Sequence, residues 1–183
     1  MELGCPVVQI MALTELDSLP EARRNAILRE NISAIADIGK PLGIRFQIEV
    51  VAFTAFNSLQ QALEIIRQTG KDNVGVVIDF WHLHAGGNTR PDEVAAMDPS
   101  LIYGVHFCDG RAARPGEAWD EWVQRNYAPG EGDVDIPAWV SAVRATGYDG
   151  VWSPELLSPR NWEHDLWDIA AGCLDSMKAC DLH

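Results

Sequence analysis

Three carboxylates and one imidazole stand at the ends of short apolar runs in this sequence. Glu49 lies at the end of Ile44-Arg45-Phe46-Gln47-Ile48-Glu49-Val50, and Asp79 closes Val74-Gly75-Val76-Val77-Ile78-Asp79. His106 lies at the end of Ile102-Tyr103-Gly104-Val105-His106-Phe107, and Glu155 ends Gly150-Val151-Trp152-Ser153-Pro154-Glu155. In a parallel α/β sheet the C-terminal strand ends share one face, where reactive groups collect. Bare acids converging there would repel one another and take up protons. A divalent cation removes the conflict. Oxygen-rich ligands with one imidazole suit Mn2+, Mg2+ or Co2+, and Zn2+ is also admissible. Taken singly, each acid reads equally well as a helix cap or a solvated loop residue, and His106 as a hydrogen-bonded core histidine. Their recurrence on successive strand ends carries the argument.

Those ends need elements to hold them. Cys5 to Ile10 reads as a further strand ahead of the four above. Between the strands lie helical stretches. The first runs from Leu19 to Ile38, with Ile27, Ile32, Ile35 and Ile38 at mostly helical spacing, stopped by Gly39 and Pro41. The second follows a Ser58 cap with Leu59, Ala62, Leu63, Ile65 and Ile66 as its core face. Pro91 to Met97 supplies a short helix, Ile136 to Thr146 one opened by Asp135 and Pro137, and Glu163 to Cys180 a closing one. A long polar segment, Asp109 to Asp133, interrupts the rhythm. The expected fold class is parallel α/β. Glu49, Asp79 and His106 follow one another at close to the roughly 31 residues of one unit in a (β/α)8 barrel. At 183 residues the chain holds five or six such units, so it reads either as part of a barrel or as an open doubly wound sheet.

Composition narrows the partners. The formal net charge is -13, which argues against gripping a phosphate backbone or an anionic membrane surface. No stretch approaches the roughly 18 apolar residues of a membrane span. Met1-Glu2-Leu3-Gly4-Cys5 lacks the basic flank of a signal peptide, and the four cysteines form no Cys-x-x-Cys pair. A cytoplasmic protein with reduced thiols and a small neutral or weakly charged ligand is expected. Homo-oligomer formation is left open.

Side chains near the strand ends are the candidates for substrate contact. His82 follows Asp79 as Asp-x-x-His, and Trp81 between them could wall a sugar pocket, as could Trp152. Asp109 could orient His106 or bind substrate; Arg111 could hold a substrate hydroxyl or phosphate, or be a solvated loop residue. Cys108 reads as a buried small hydrophobe, with no base at a recognisable distance.

The motifs together resemble the xylose isomerase-like barrel superfamily of sugar phosphate isomerases and epimerases, which also holds apurinic-site endonucleases. The resemblance rests on Ile48-Glu49, Val77-Ile78-Asp79-Phe80-Trp81-His82-Leu83 with Ala85-Gly86-Gly87, and Val105-His106-Phe107-Cys108-Asp109-Gly110. It also draws on Pro129-Gly130-Glu131-Gly132-Asp133-Val134-Asp135 and Gly147-Tyr148-Asp149-Gly150-Val151-Trp152-Ser153-Pro154-Glu155. It implies a partial parallel (β/α)8 TIM barrel, strands four to eight, forming one domain over residues 1–183 as the C-terminal portion. It implies Glu49, Asp79, His106 and Glu155 as metal ligands, Glu49 and Glu155 as the acid and base, and His82 as a substrate or outer group. The expected activity is isomerisation or epimerisation of a small sugar or sugar phosphate through an enediolate. A dehydratase of the dehydroshikimate or inosose type, or an inactive barrel fragment, is the alternative. The acidity and the few histidines set the endonuclease branch aside.

Overall fold

The computed structural model describes residues 4–12 and 14–182; Met1 to Leu3, part of the leader reading, lie outside them. Five strands follow the chain: β1 (Val7–Met11), β2 (Arg45–Glu49), β3 (Val74–Asp79), β4 (Ile102–Phe107) and β5 (Trp152–Pro154). They pair in the order β1-β2-β3-β4-β5, every pair parallel. A doubly wound sheet reverses its strand order at a switch point. This one never reverses, which removes the open-sheet alternative.

The helices are α1 (Glu21–Gly39), α2 (Leu59–Thr69), α3 (Phe80–Gly86), α4 (Pro91–Ala95), α5 (Glu121–Gln124), α6 (Ile136–Ala145), α7 (Pro159–Trp162) and α8 (Leu166–Ala179). Helix α1 buries Leu28, Ile32 and Ala36, an i, i+4 stripe, whereas Ile38 is 68% exposed. Of the four isoleucines expected on the core face, Ile32 is on it, Ile27 and Ile35 flank it half-buried, and Ile38 points away. Helix α2 starts as expected: Ser58 accepts from Gln61 N–H and the Gln61 side chain reaches back to the cap. Such a cap is worth about 1 kcal/mol. Asp135 accepts from Ala138 N–H to open α6.

All six residues of β3 are buried, as a strand covered on both faces requires. Its Val74, Val76 and Ile78 join Ile48, Val105, Phe107, Trp139 and Val143 in one core. Two short helices escaped the sequence reading inside polar stretches, α5 and α7. A third, α3, follows β3 with no intervening loop, because Asp79 ends the strand and caps the helix at once. The last strand is shorter than expected, and α8 starts at Leu166 behind an Asp165 cap rather than at Glu163. Among the described residues no helix is long and apolar enough to cross a membrane.

Candidate metal centre

Strand register delivers the four polar side chains to one place. Asp79 pairs with His106 across β3 and β4, and Phe107 pairs with Pro154, which sets Glu155 just beyond the end of β5. Glu155 N–H donates to Phe107 O at 3.2 Å and fixes that register. One ligand-type atom from each of Glu49, Asp79, His106 and Glu155 lies within 4.8 Å of the other three.

His106 Nδ1 stands at the hub, 3.0 Å from Glu49 Oε1, 3.3 Å from Asp79 Oδ2 and 3.5 Å from Glu155 Oε2. A ring nitrogen carries one hydrogen at most and cannot serve three carboxylates. The contact aligned as a hydrogen bond is the one to Asp79 Oδ2. Glu49 Oε1 is buried and has no hydrogen-bond partner despite its 3.0 Å approach. Three oxygens and a nitrogen aimed at one point, with one oxygen unsatisfied, fit a divalent cation.

The electrostatics tell the same story. Burial pushes the Glu49 carboxyl up, with Asp79 and Glu155 adding to the push and His106 and His82 opposing it. Burial would also raise Asp79, but the charges of Arg125, His82 and His106 overcome it and hold that carboxyl well below the usual range. Burial pulls the His106 imidazole down, yet the close carboxylates of Asp79, Glu155 and Glu49 win, and it is pushed up to about 12. A proton on His106 thus offsets part of the negative charge that the three carboxylates bring together.

Arg125 supplies further positive charge, and sequence reasoning missed it. It follows α5 in the polar segment between β4 and α6, 2% exposed. Its Nη2 lies 2.5 Å from Glu155 Oε2 and 3.5 Å from Asp79 Oδ2, and Nη1 lies 3.4 Å from Glu121 Oε1. Its guanidinium rests on the Trp81 ring, 4.9 Å from the centroid. Nothing local marks this arginine among its neighbours.

The other sequence candidates fall in different places. Trp81 is fully buried, with Nε1 donating to Arg111 O, so it backs Arg125 and presents no surface to a ligand. This corrects its expected role as a pocket wall. Trp119, 40% exposed, and Phe53 stand in front of it with ring centroids 6.0 Å apart. His82 is buried; its Nδ1 accepts from Ala52 N–H at 3.2 Å, and its Nε2 lies 3.9 Å from Glu121 Oε1. Asp109 neither orients His106 nor faces the centre. Its Oδ1 accepts from the N–H groups of Gly110 and Val134, and Oδ2 from those of Gly130 and Gly132. Arg111 is held by Glu117 through two contacts of 2.7 Å and donates to Ala112 O, so its guanidinium serves its own loop. Cys108 is buried, its thiol pushed up chiefly by that burial, and it donates to Asp79 Oδ1 at 3.4 Å.

An arc of parallel β/α units with acids and an imidazole gathered at the strand ends is the arrangement of a TIM barrel, with a side-chain group that could hold a metal ion. The chain belongs to the xylose isomerase-like TIM barrel family, whose profile matches residues 1–177. Its five strands are accordingly part of such a barrel. It is 30% identical over 159 residues to an inosose isomerase of Bacillus velezensis, covering 86% of this chain and 55% of that protein. It is 28% identical over 162 residues to a 3-dehydroshikimate dehydratase of Pseudomonas aeruginosa, over 86% of this chain and 24% of that protein. In fold it matches a crystal structure of the IOLI protein with a bound zinc atom, with a TM-score of 0.84 and 24% identity, over 95% of this chain and 62% of that one. The chain spans about half the length of the inosose isomerases it matches.

Proposed function

We propose that residues 1–183 form one domain, the C-terminal portion of a barrel, and that its strand ends hold one divalent cation for isomerising or epimerising a small sugar-like substrate. The single observation behind this reading is the hub geometry: one imidazole nitrogen facing three carboxylate oxygens at 3.0, 3.3 and 3.5 Å. Glu49, Asp79, His106 and Glu155 are the ligands. The zinc atom in the IOLI protein supports a metal at a site of this fold; Mn2+, Mg2+ and Co2+ suit the oxygen-rich set as well. A divalent cation supplies Lewis acidity, which polarises a substrate carbonyl and acidifies the neighbouring C–H.

The chain's own residues then move the proton. A carboxylate oxygen of Glu49 or Glu155 takes hydrogen from the carbon beside the carbonyl, and the C–H electron pair passes to the carbonyl oxygen as an enediolate. Proton return to the adjacent carbon gives an isomer, and return to the opposite face an epimer. Glu155, the more exposed of the two, reaches outward, while Glu49 is nearly buried. Arg125 keeps Glu155 in place through Nη2. Phe53 packs between His82 and Trp119 with ring centroids 6.2 and 6.0 Å away, and the partly exposed Trp119 is the member of this group open to a sugar; His82 serves behind it as an outer group.

Solvent deuterium exchange into a panel of ketoses and keto-polyols, with Mn2+ present, tests the reading. Exchange should require metal and should be lost in Glu49→Gln and Glu155→Gln. Metal-dependent exchange that survives both substitutions removes the acid–base assignment. Growth of an enone absorbance in place of exchange moves the activity to the dehydratase class, to which the Pseudomonas relative points.

A further inference from the structure

Barrel interiors are filled mainly by branched apolar side chains. Here two amides stand in that layer: Gln9 of β1 and Gln47 of β2, register partners two residues below the Met11–Glu49 pair and so on the same face. Gln47 Nε2 donates to Gln9 Oε1 at 2.9 Å, and Gln9 Nε2 donates to Glu49 Oε2 at 2.9 Å. Space for the Gln47 amide comes from Gly104 on β4, where a Cβ would stand 2.9 Å from Gln47 Oε1.

The relay has a direction. An amide donates only from nitrogen and accepts on oxygen. With Gln9 Oε1 engaged by Gln47, the NH2 group of Gln9 is turned towards Glu49. One Glu49 oxygen is thereby tied down. The other, Oε1, is left buried without a hydrogen bond, beside His106 Nδ1. Asp79 repeats the pattern: Oδ1 accepts from His82 N–H at 2.7 Å and from the Cys108 thiol, while Oδ2 faces the centre.

We infer that Gln9 is a positioning residue of the metal centre, which holds Glu49 Oε2 so that Oε1 alone is offered to the cation, with Gln47 setting the orientation of the Gln9 amide. This rests on the cation reading above and extends it to two residues outside the ligand set. Without the Gln9 donor, Glu49 is free to rotate and to offer both oxygens. Coordination number and affinity then change together, since groups that orient a ligand typically carry 10–100-fold in metal affinity.

Co2+ titration of the full chain tests this, with affinity read by calorimetry and coordination by the visible d–d band. Gln9→Met keeps the side-chain length and removes the donor. It should bind Co2+ about 10–100-fold more weakly and with an altered band. Gln47→Met, which reaches Glu49 only through Gln9, should change both in the same sense by a smaller factor. Unchanged affinity and band in Gln9→Met, with or without a lower melting temperature, overturn the inference and leave the cation reading intact. If Gln9→Met does not fold, an unchanged affinity and band in Gln47→Met overturn it instead. If the unsubstituted protein takes up no Co2+, the cation reading falls and takes this one with it.

Discussion

Asp79, the last residue of β3, and Asp109, just past the end of β4, are both buried aspartates at 1% and 3% exposure, yet they are satisfied in opposite ways. Asp109 has each oxygen filled by two backbone N–H groups and closes the 130–134 segment around itself. Gly132 allows that closeness, since a Cβ there would stand against Asp109 Oδ1. Asp79 has one oxygen held by the start of α3, and the other aimed at a point it shares with Glu49, His106, Glu155 and Arg125. Fixed backbone donors leave a carboxylate no spare valence for a ligand. Competing side chains around too few protons leave carboxylate oxygens with valence to spare for a ligand. Burial of an acid is therefore uninformative by itself; the nature of its partners separates structure from chemistry.

The contrast can be broken at either end. Asp109→Ala orphans four N–H groups, each costing about 1–3 kcal/mol when buried. Allowing for relaxation, denaturant unfolding should show a loss of about 3–5 kcal/mol, with Mn2+ affinity within about twofold of the original in protein that remains folded. A metal-affinity collapse in folded Asp109→Ala would dissolve the distinction between the two acids. Asp79→Asn should do the reverse: Mn2+ binding by calorimetry should weaken at least about 100-fold, roughly 2.7 kcal/mol, beyond what an orienting residue carries.

Acidity sharpens the comparison next. In the metal-free protein His106 keeps its proton up to about 12, so an entering cation must expel it. Mn2+ affinity should rise about tenfold per pH unit between pH 6 and 8, because one proton is released per ion; the raised Glu49 carboxyl steepens the slope if it also gives up a proton. Affinity flat with pH would mean that His106 is not a ligand. Without metal the sign for stability is opposite. A folded-state value above the unfolded one contributes stability that is full below about pH 6.5 and lost as pH climbs towards 12. Melting with chelator present should follow that course. The smallest effect belongs to Arg111→Met. Its guanidinium is spent on Glu117, so Mn2+ affinity should stay within about twofold.

Much of this was legible before any coordinates. β3 and β4 fall on the residues that their apolar runs delimit, because a strand covered on both faces admits few polar side chains. Ser58 and Asp135 were readable as caps because capping is local chemistry within three residues. The strand-end positions of Glu49, Asp79, His106 and Glu155 followed from the same runs. Helix α3 was hidden because Asp79 carries two signals at once, a strand end and a cap. The roles expected of Trp81 and Asp109 failed for a common reason: sequence position beside a ligand does not say which way a side chain turns.

The sequence by itself determined the alternation of elements, their parallel pairing and the four polar strand ends, since periodicity and caps act over a few residues. Only the tertiary structure decided that Arg125 comes back from the polar segment to sit between Asp79 and Glu155, that Gln9 braces Glu49 from a neighbouring strand, and that Asp109 is consumed by backbone donors. Those contacts join residues 21 to 46 positions apart. Their geometry depends on how a loop folds over the sheet and on strand register, and no local pattern of residue types encodes either.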